Sequence, residues 1–139
     1  METFYLLMNG IGTALVPLNL ALLIFGCLIG LFVGAMPGLG SVNGVAILIP
    51  ITFIVPPTAA IIFLAAVYYG AMYGGAISSI MLGIPGASTA VATVFDGRPL
   101  AQKGDAITGL TAAAVGSFVG GTVSVILFTL FAPPLAKVA

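Results

Sequence analysis

Long uninterrupted runs of apolar residues dominate the chain, and proline and glycine separate them. The three longest runs cover residues 15–36, 59–84 and 106–131. About 20 apolar residues in an α-helix cross a hydrocarbon core of about 30 Å, so each run is long enough to span a membrane. Thr58 is a typical N-cap before the second run, and Pro133 and Pro134 are expected to end the third. The pattern therefore predicts three transmembrane helices.

A fourth apolar stretch is shorter and contains a helix breaker. It covers residues 42–55, includes Pro50 and ends before a second proline pair. About fourteen residues are too few for a full helical span, so we expect a half-helix or re-entrant segment. A short apolar piece at residues 89–95 precedes a predicted polar loop at residues 96–105. The predicted fold is an all-α membrane protein with about three transmembrane helices plus this short broken or re-entrant segment, in one transmembrane domain over residues 1–139.

Small residues recur at every fourth position on each long helix. They are Gly26, Gly30 and Gly34 on the first, Gly70, Gly74 and Ser78 on the second, and Ala112, Gly116, Gly120 and Ser124 on the third. Such stripes let helix backbones approach closely, which is a main source of packing energy in lipid. They predict a compact bundle or contact with a larger protein partner.

Composition supports a membrane location and excludes one class of partner. Hydrophobic residues make up 61% of the chain, charged residues 4%, and the net charge is zero. No charge lies between Glu2 and Asp96, and a soluble surface built from such material would expose large apolar patches. Without a basic run there is no electrostatic footprint for nucleic acid. Residues 1–9 lack the positive charge of a secretory signal, so we expect the first hydrophobic segment to be retained as a membrane helix.

Enzymatic interpretations lack the residues that they need. The chain contains no histidine, which removes the commonest general base and metal ligand. Cys27 is the single cysteine, so no disulfide framework or thiolate metal site is expected. Asp96 and Asp105 flank the predicted polar loop instead of lying at membrane depth, where an aspartyl protease would need them. We therefore predict that the protein is not an enzyme.

Two broken regions are the candidate binding sites. Each combines a helix breaker with glycines and small hydroxyl or amide side chains, and their candidate residues are Gly38, Gly40, Ser41 and Asn43 in the first region and Gly86, Ser88 and Thr89 in the second. Interrupted helices leave backbone N–H groups that attract anions and carbonyl groups that coordinate Na⁺. Such breaks are typical of substrate sites in carriers. An ordinary interfacial turn is the alternative.

Five short strings in this order resemble the large membrane subunit of tripartite tricarboxylate transporters, the TctA family. The strings are Gly34-Ala-Met-Pro-Gly-Leu-Gly40, Leu48-Ile-Pro-Ile-Thr52, Tyr69-Gly-Ala-Met-Tyr-Gly-Gly75, Ile84-Pro-Gly86 and Asp96-Gly-Arg-Pro99. Together they extend over nearly the whole chain. Five linked motifs form a far more specific signal than any one of them.

The resemblance implies a multi-pass subunit of a secondary carrier in the bacterial inner membrane. Members work with a small membrane subunit and a periplasmic solute-binding protein that delivers citrate or another carboxylate. An ion gradient drives transport, so no cofactor is expected and Na⁺ or H⁺ would be the coupling ion. The two Pro-Gly regions would form the substrate and ion site.

Length separates this chain from the family pattern. Family members are several times longer, so the chain resembles the N-terminal quarter to third of a larger helical carrier bundle. Carriers of this kind are usually built from repeated halves around a shared site. The alternative function is therefore a non-transporting membrane assembly subunit, or a truncated fragment with no independent transport.

Overall fold

The computed structural model describes the backbone of residues 2–136 and the side chains of residues 5–132. Its α-helices are α1 (Glu2–Ala14), α2 (Pro17–Ala35), α3 (Gly40–Leu48), α4 (Pro57–Leu82), α5 (Val91–Gln102) and α6 (Ala106–Ala136). Two 3-10 helices lie at Ile49–Ile54 and Ser88–Ala90, and this part of the chain contains no β-strand. Three helices, α2, α4 and α6, are long and apolar enough to cross a membrane. The predicted all-α membrane fold is confirmed.

The centre of the structure is the contact between α2 and α4. Along α2, Gly26 faces Phe63, Gly30 faces Val67 and Gly34 faces Ala71. Residue numbers thus increase in the same direction along both helices, which makes the pair parallel. Most of the buried apolar residues lie on α4, because this helix also contacts α3, α5 and α6.

Glycine allows the backbones of α2 and α4 to touch. A Cβ atom built on Gly30 would lie 2.9 Å from the backbone nitrogen of Ala71, and one on Gly74 would lie 2.8 Å from the nitrogen of Ala35. Real Cβ atoms do not approach backbone so closely, so each helix presents glycine where the other presents main chain. The small-residue stripes on α2 and α4 are therefore confirmed as a packing interface.

The parallel pair dictates the path of the segment between its members. The chain leaves α2 at Ala35 and must enter α4 at the opposite end of the pair, so residues 40–54 run back along it. This segment has nine residues in an α-helix and six in a 3-10 helix, which rises farther per residue. Together they extend about 25 Å. Of the two predicted alternatives, the segment is broken rather than re-entrant, and the break comes at Ile49, next to Pro50.

Helix α6 runs antiparallel to α4 and packs loosely. Gly109 lies opposite Ile80 near the end of α4, and the Tyr73 hydroxyl donates to the Leu110 carbonyl at 3.3 Å. Farther along α6, Gly116 and Gly120 have no heavy atom from another part of the described chain within 4 Å of a built Cβ. Among the described residues, the α6 stripe therefore has no packing partner.

The predicted polar loop at residues 96–105 is wrong for most of its length. Residues Val91–Gln102 form α5, with Pro99 inside the helix. The fixed φ of proline is compatible with a helix, and Gly97 packs directly on Ile80 of α4, which holds this segment in place. Only the residues around Gly104, whose φ is +85°, form a turn.

Three predicted helix boundaries also differ from the structure. The first long helix begins at Pro17, and a separate α1 precedes it, joined by a 2.7 Å hydrogen bond from the buried Asn19 amide to the Thr13 carbonyl. Helix α4 begins at Pro57, so Thr58 lies in its first turn and is not the N-cap. Helix α6 continues through the proline pair to Ala136, since the φ of proline is already helical.

We expect Gly30→Ala to destabilise the protein by about 1–3 kcal/mol, because the added methyl group overpacks a contact between two backbones. Gly116→Ala is the matched control, since it makes the same change on a helix of similar character where a Cβ meets nothing. Thermal unfolding of the purified protein in detergent measures both. Equal melting temperatures for the two variants would contradict the packing role of Gly30.

Candidate functional site

The two broken regions lie against each other beside α4. A Cβ built on Gly40, at the start of α3, would lie 3.7 Å from the Gly86 carbonyl oxygen. Gly86 itself is buried, and its Cβ would lie 2.6 Å from the Gly75 Cα atom and 2.7 Å from the Ser78 hydroxyl oxygen. A residue with a side chain does not fit at Gly86. The second break is thus pressed onto the glycine-rich face of α4.

This meeting point lies well inside the end of α4. After the helix ends at Leu82, the chain folds back so that Ala87 lies beside Gly75, with its nitrogen 3.3 Å from a built Cβ. Gly75 precedes Leu82 by about two helical turns, or roughly 10 Å. A simple turn at a helix end would not return to this depth. The second break therefore folds back along α4 instead of forming a simple turn at its end.

Met72 of α4 lies between the two broken regions. Its sulfur atom accepts hydrogen bonds from the Ser41 hydroxyl at 3.5 Å and from the Thr89 hydroxyl at 3.8 Å. Ser41 belongs to the first region and is 6% exposed, whereas Thr89 belongs to the second and is exposed. Two hydroxyl groups from different segments thus converge on one side chain.

Four of the seven predicted site residues are brought together in this way: Gly40, Ser41, Gly86 and Thr89. The other three lie at the edge. Gly38 has a φ of +92° in the turn before α3, and a Cβ there would meet nothing within 4 Å. Asn43 and Ser88 are exposed. The binding role of all seven residues stays a prediction.

The donors at this site are backbone amides and hydroxyl groups. The first-turn N–H groups of α3 lack intrahelical partners, and Leu39 at the N-cap provides no side-chain acceptor. These N–H groups lie at the positive end of the α3 dipole, which favours a negatively charged group next to them. Backbone carbonyls of Gly34 and Gly86 lie nearby and are of the kind that binds Na⁺. No group of three or more His, Cys, Asp or Glu side chains that would hold a metal ion occurs among the described residues.

Buried serines of α4 hold the second break, and the sequence did not single them out for this. The Ser79 hydroxyl, fully buried, lies 2.7 Å from the Gly75 carbonyl oxygen and 3.1 Å from that of Ala90. Ser78 bonds to the same Gly75 carbonyl at 3.0 Å. Their signal in the sequence is position alone, because Ser78 ends the small-residue stripe of the second long helix and Ser79 follows it directly. Met72 was missed because a methionine in an apolar helix is usually core packing.

Arg98 fixes α5 to the end of α4. Its guanidinium group donates to the Met81 carbonyl, one of the last in the helix, and its methylene groups cover Gly83. Gly83 ends α4 with a φ of +72°, a backbone conformation that favours glycine. A cation at a helix C-terminus is stabilised by the helix dipole. This contact positions the segment that contains the second break.

Comparison with known proteins gives one family and one curated relative. A family model described as the tripartite tricarboxylate transporter TctA family matches residues 20–139. An uncharacterized 52.8 kDa protein in the TAR-I ttuC' 3' region of Agrobacterium vitis is 44% identical over 130 residues, which cover 94% of this chain and 26% of the relative. The chain therefore spans about a quarter of the length of that relative. No solved structure matches the chain.

We expect Arg98→Ala to loosen α5 while the α2–α4 pair stays intact. The variant loses a charge-assisted hydrogen bond and its dipole interaction, together about 1–2 kcal/mol. Amide hydrogen exchange of the purified protein should therefore speed up in Val91–Gln102 and not in α2. Lys103→Ala is the control, because this substitution removes the same charge from an exposed side chain about one turn after Arg98. Similar exchange in both variants would rule out a specific role for Arg98.

Proposed function

Because the chain belongs to the tripartite tricarboxylate transporter TctA family, we propose that it forms membrane-spanning helices of a secondary carrier for citrate or related carboxylates. Three long apolar helices support a multi-pass arrangement, which we place in the bacterial inner membrane. The family match supports a role in transport in place of catalysis. The observation that carries the proposal is the meeting of two helix breaks about 10 Å inside the end of α4, where donors for an anion are available.

The chemistry of the site suits a carboxylate that must be released as well as bound. The N-terminus of α3 and the hydroxyl groups of Ser41 and Thr89 would donate hydrogen bonds to carboxylate oxygens. A fixed cation close to the substrate would bind it more tightly and slow its release. The charged Arg98 instead donates to a helix carbonyl of α4. A site of amides and hydroxyls therefore gives moderate affinity, which a carrier requires.

We propose that an ion gradient drives the transport, with Na⁺ or H⁺ as the coupling ion. Carbonyl groups at interrupted helices are the usual Na⁺ ligands in secondary carriers. The carbonyls of Gly34 and Gly86 lie at such interruptions and close to the hydroxyl of Ser78. The same region would then bind the cation next to the anion, so that each neutralises the charge of the other in a low-dielectric environment.

The partners that we propose are a small membrane subunit and a periplasmic solute-binding protein, as a tripartite system requires. An assembly subunit without independent transport remains the second candidate function. It is favoured by the α6 stripe, whose Gly116 and Gly120 face no other described residue. Carriers place their site between repeated units, and the described helices supply one side of it.

We expect Thr89→Val to lower the initial rate of citrate uptake by about tenfold, because one hydrogen bond to a charged oxygen is lost without a change in shape. Ser41→Ala should have an effect of the same direction. Uptake is measured with radiolabelled citrate and other carboxylates in cells that express the chain with the genes neighbouring it. Thr129→Val is the matched control, since that hydroxyl bonds to the Val125 carbonyl of its own helix at 2.8 Å.

Membrane abundance, measured by immunoblot, must be unchanged in the three variants for uptake to be compared. Equal carboxylate uptake by Thr89→Val, Ser41→Ala and Thr129→Val would contradict the proposed site and favour the assembly subunit. Loss of uptake in the first two variants alone would support the carrier.

A further inference from the structure

Met72 contacts both helix breaks, and its chemistry is unlike that of the groups around it. The hydroxyls of Ser41 and Thr89 belong to segments that are 48 residues apart in the sequence, yet both donate to the same sulfur atom. Ser41 is 6% exposed, so its hydroxyl has little access to water. The thioether is therefore the acceptor that satisfies this buried donor.

A thioether is a weak hydrogen-bond acceptor, so a stronger acceptor can replace it as the partner of the two hydroxyls. A carboxylate oxygen forms hydrogen bonds that are about twice as strong as those between neutral groups. A ligand that reached Ser41 and Thr89 would thus gain more from the two hydroxyls than Met72 does. Leucine at this position would fill a similar volume but accept no hydrogen bond at all.

The methionine side chain can also move. It has three rotatable bonds and adapts to irregular space. Met72 is half-buried, and the exposed part of its side chain gives it a surface into which it can rotate away from the two hydroxyls. Its neighbour Ala71, by contrast, is fully buried against α2 and fixes the backbone of α4 at this level.

We propose that Met72 is the closing residue of the site: its thioether occupies the place of a substrate carboxylate oxygen between Ser41 and Thr89, and the substrate displaces it on binding. This inference rests on the proposed carrier function. It adds a residue that sets substrate affinity through competition for the two donors.

Two substitutions of Met72 are expected to change the apparent KM for carboxylate uptake in opposite directions. Met72→Leu removes the competing acceptor, so the KM should fall by about two- to tenfold. Met72→Gln has similar length but a stronger amide acceptor, so the KM should rise by a comparable factor. The same two changes at Met81, whose side chain is 46% exposed at the end of α4, are the control and should leave the KM unchanged. A purely structural role for Met72 predicts no such opposition.

A second measurement tests the closure without any transport. In a Cys27→Ser background, Ser41→Cys is labelled with a small thiol reagent in isolated membranes. The labelling rate should rise several-fold when Met72→Ala uncovers the position, and it should stay low with Met72→Leu, which still covers it. Met81→Ala is the control for a general loosening of α4. Addition of citrate should slow labelling of the uncovered cysteine if the carboxylate binds there.

The outcomes separate the two proposals. Unchanged labelling in Met72→Ala, or KM shifts in the same direction for Leu and Gln, would overturn the role of Met72. Faster labelling in Met72→Ala together with unchanged carboxylate uptake in Thr89→Val and Ser41→Ala would show that Met72 covers this position but would overturn the proposed carboxylate site. Faster labelling together with protection and opposed KM shifts would support both.

Discussion

The backbone contact between α2 and α4 is the constraint on which the rest of the structure depends. Glycines at 30, 34, 70 and 74 let each main chain lie against the other, at distances that a single methyl group would prevent. Lipid tails are as apolar as the side chains, so burying a side chain between helices gives no hydrophobic gain. Such close packing of the backbones supplies the association energy instead. Because the contact makes the helices parallel, the chain must return between them. The short, proline-containing segment at residues 40–54 is the consequence, and its helix has to start next to α4.

The same constraint determines the chemistry of the candidate site. Where α2 ends and α3 begins, the nearest surface is the glycine face of α4, and the second break adds Gly86 to it. Three stretches of main chain therefore meet with few side chains between them. Their polar groups are fixed dipoles and not charges, and such dipoles act strongly where water is scarce. Under the proposed function, oriented N–H groups of α3 and hydroxyl groups would hold an anion in this place, and binding would need no permanent ion pair.

Much of this fold follows from the sequence, but not the pairing of its parts. Length and hydropathy were enough to predict α2, α4 and α6, and the Pro-Gly strings predicted where helices break. The stripes on α2 and α6 look equivalent in sequence, yet only the former meets a partner among the described residues. Helix α5 was missed because Asp96, Gly97 and Pro99 are typical of loops, and its stability comes from contacts with Ile80 and Met81 of another helix. The convergence on Met72 is likewise tertiary, since spacing in the chain does not reveal which apolar residue lies between two distant hydroxyls.

The exposed members of the candidate site set a requirement on its surroundings. Asn43 carries two donors and an acceptor, Ser88 and Thr89 add hydroxyl groups, and all three residues are exposed. In hydrocarbon, an amide or hydroxyl without a partner costs several kcal/mol. Wherever these exposed groups lie within the hydrocarbon layer, water or protein must therefore lie next to them. A water-filled opening gives the access that a carboxylate needs, whereas a second protein wall gives the closure that transport needs. Under the proposed function, both would act at the exposed residues of α3 and at residues 88–89.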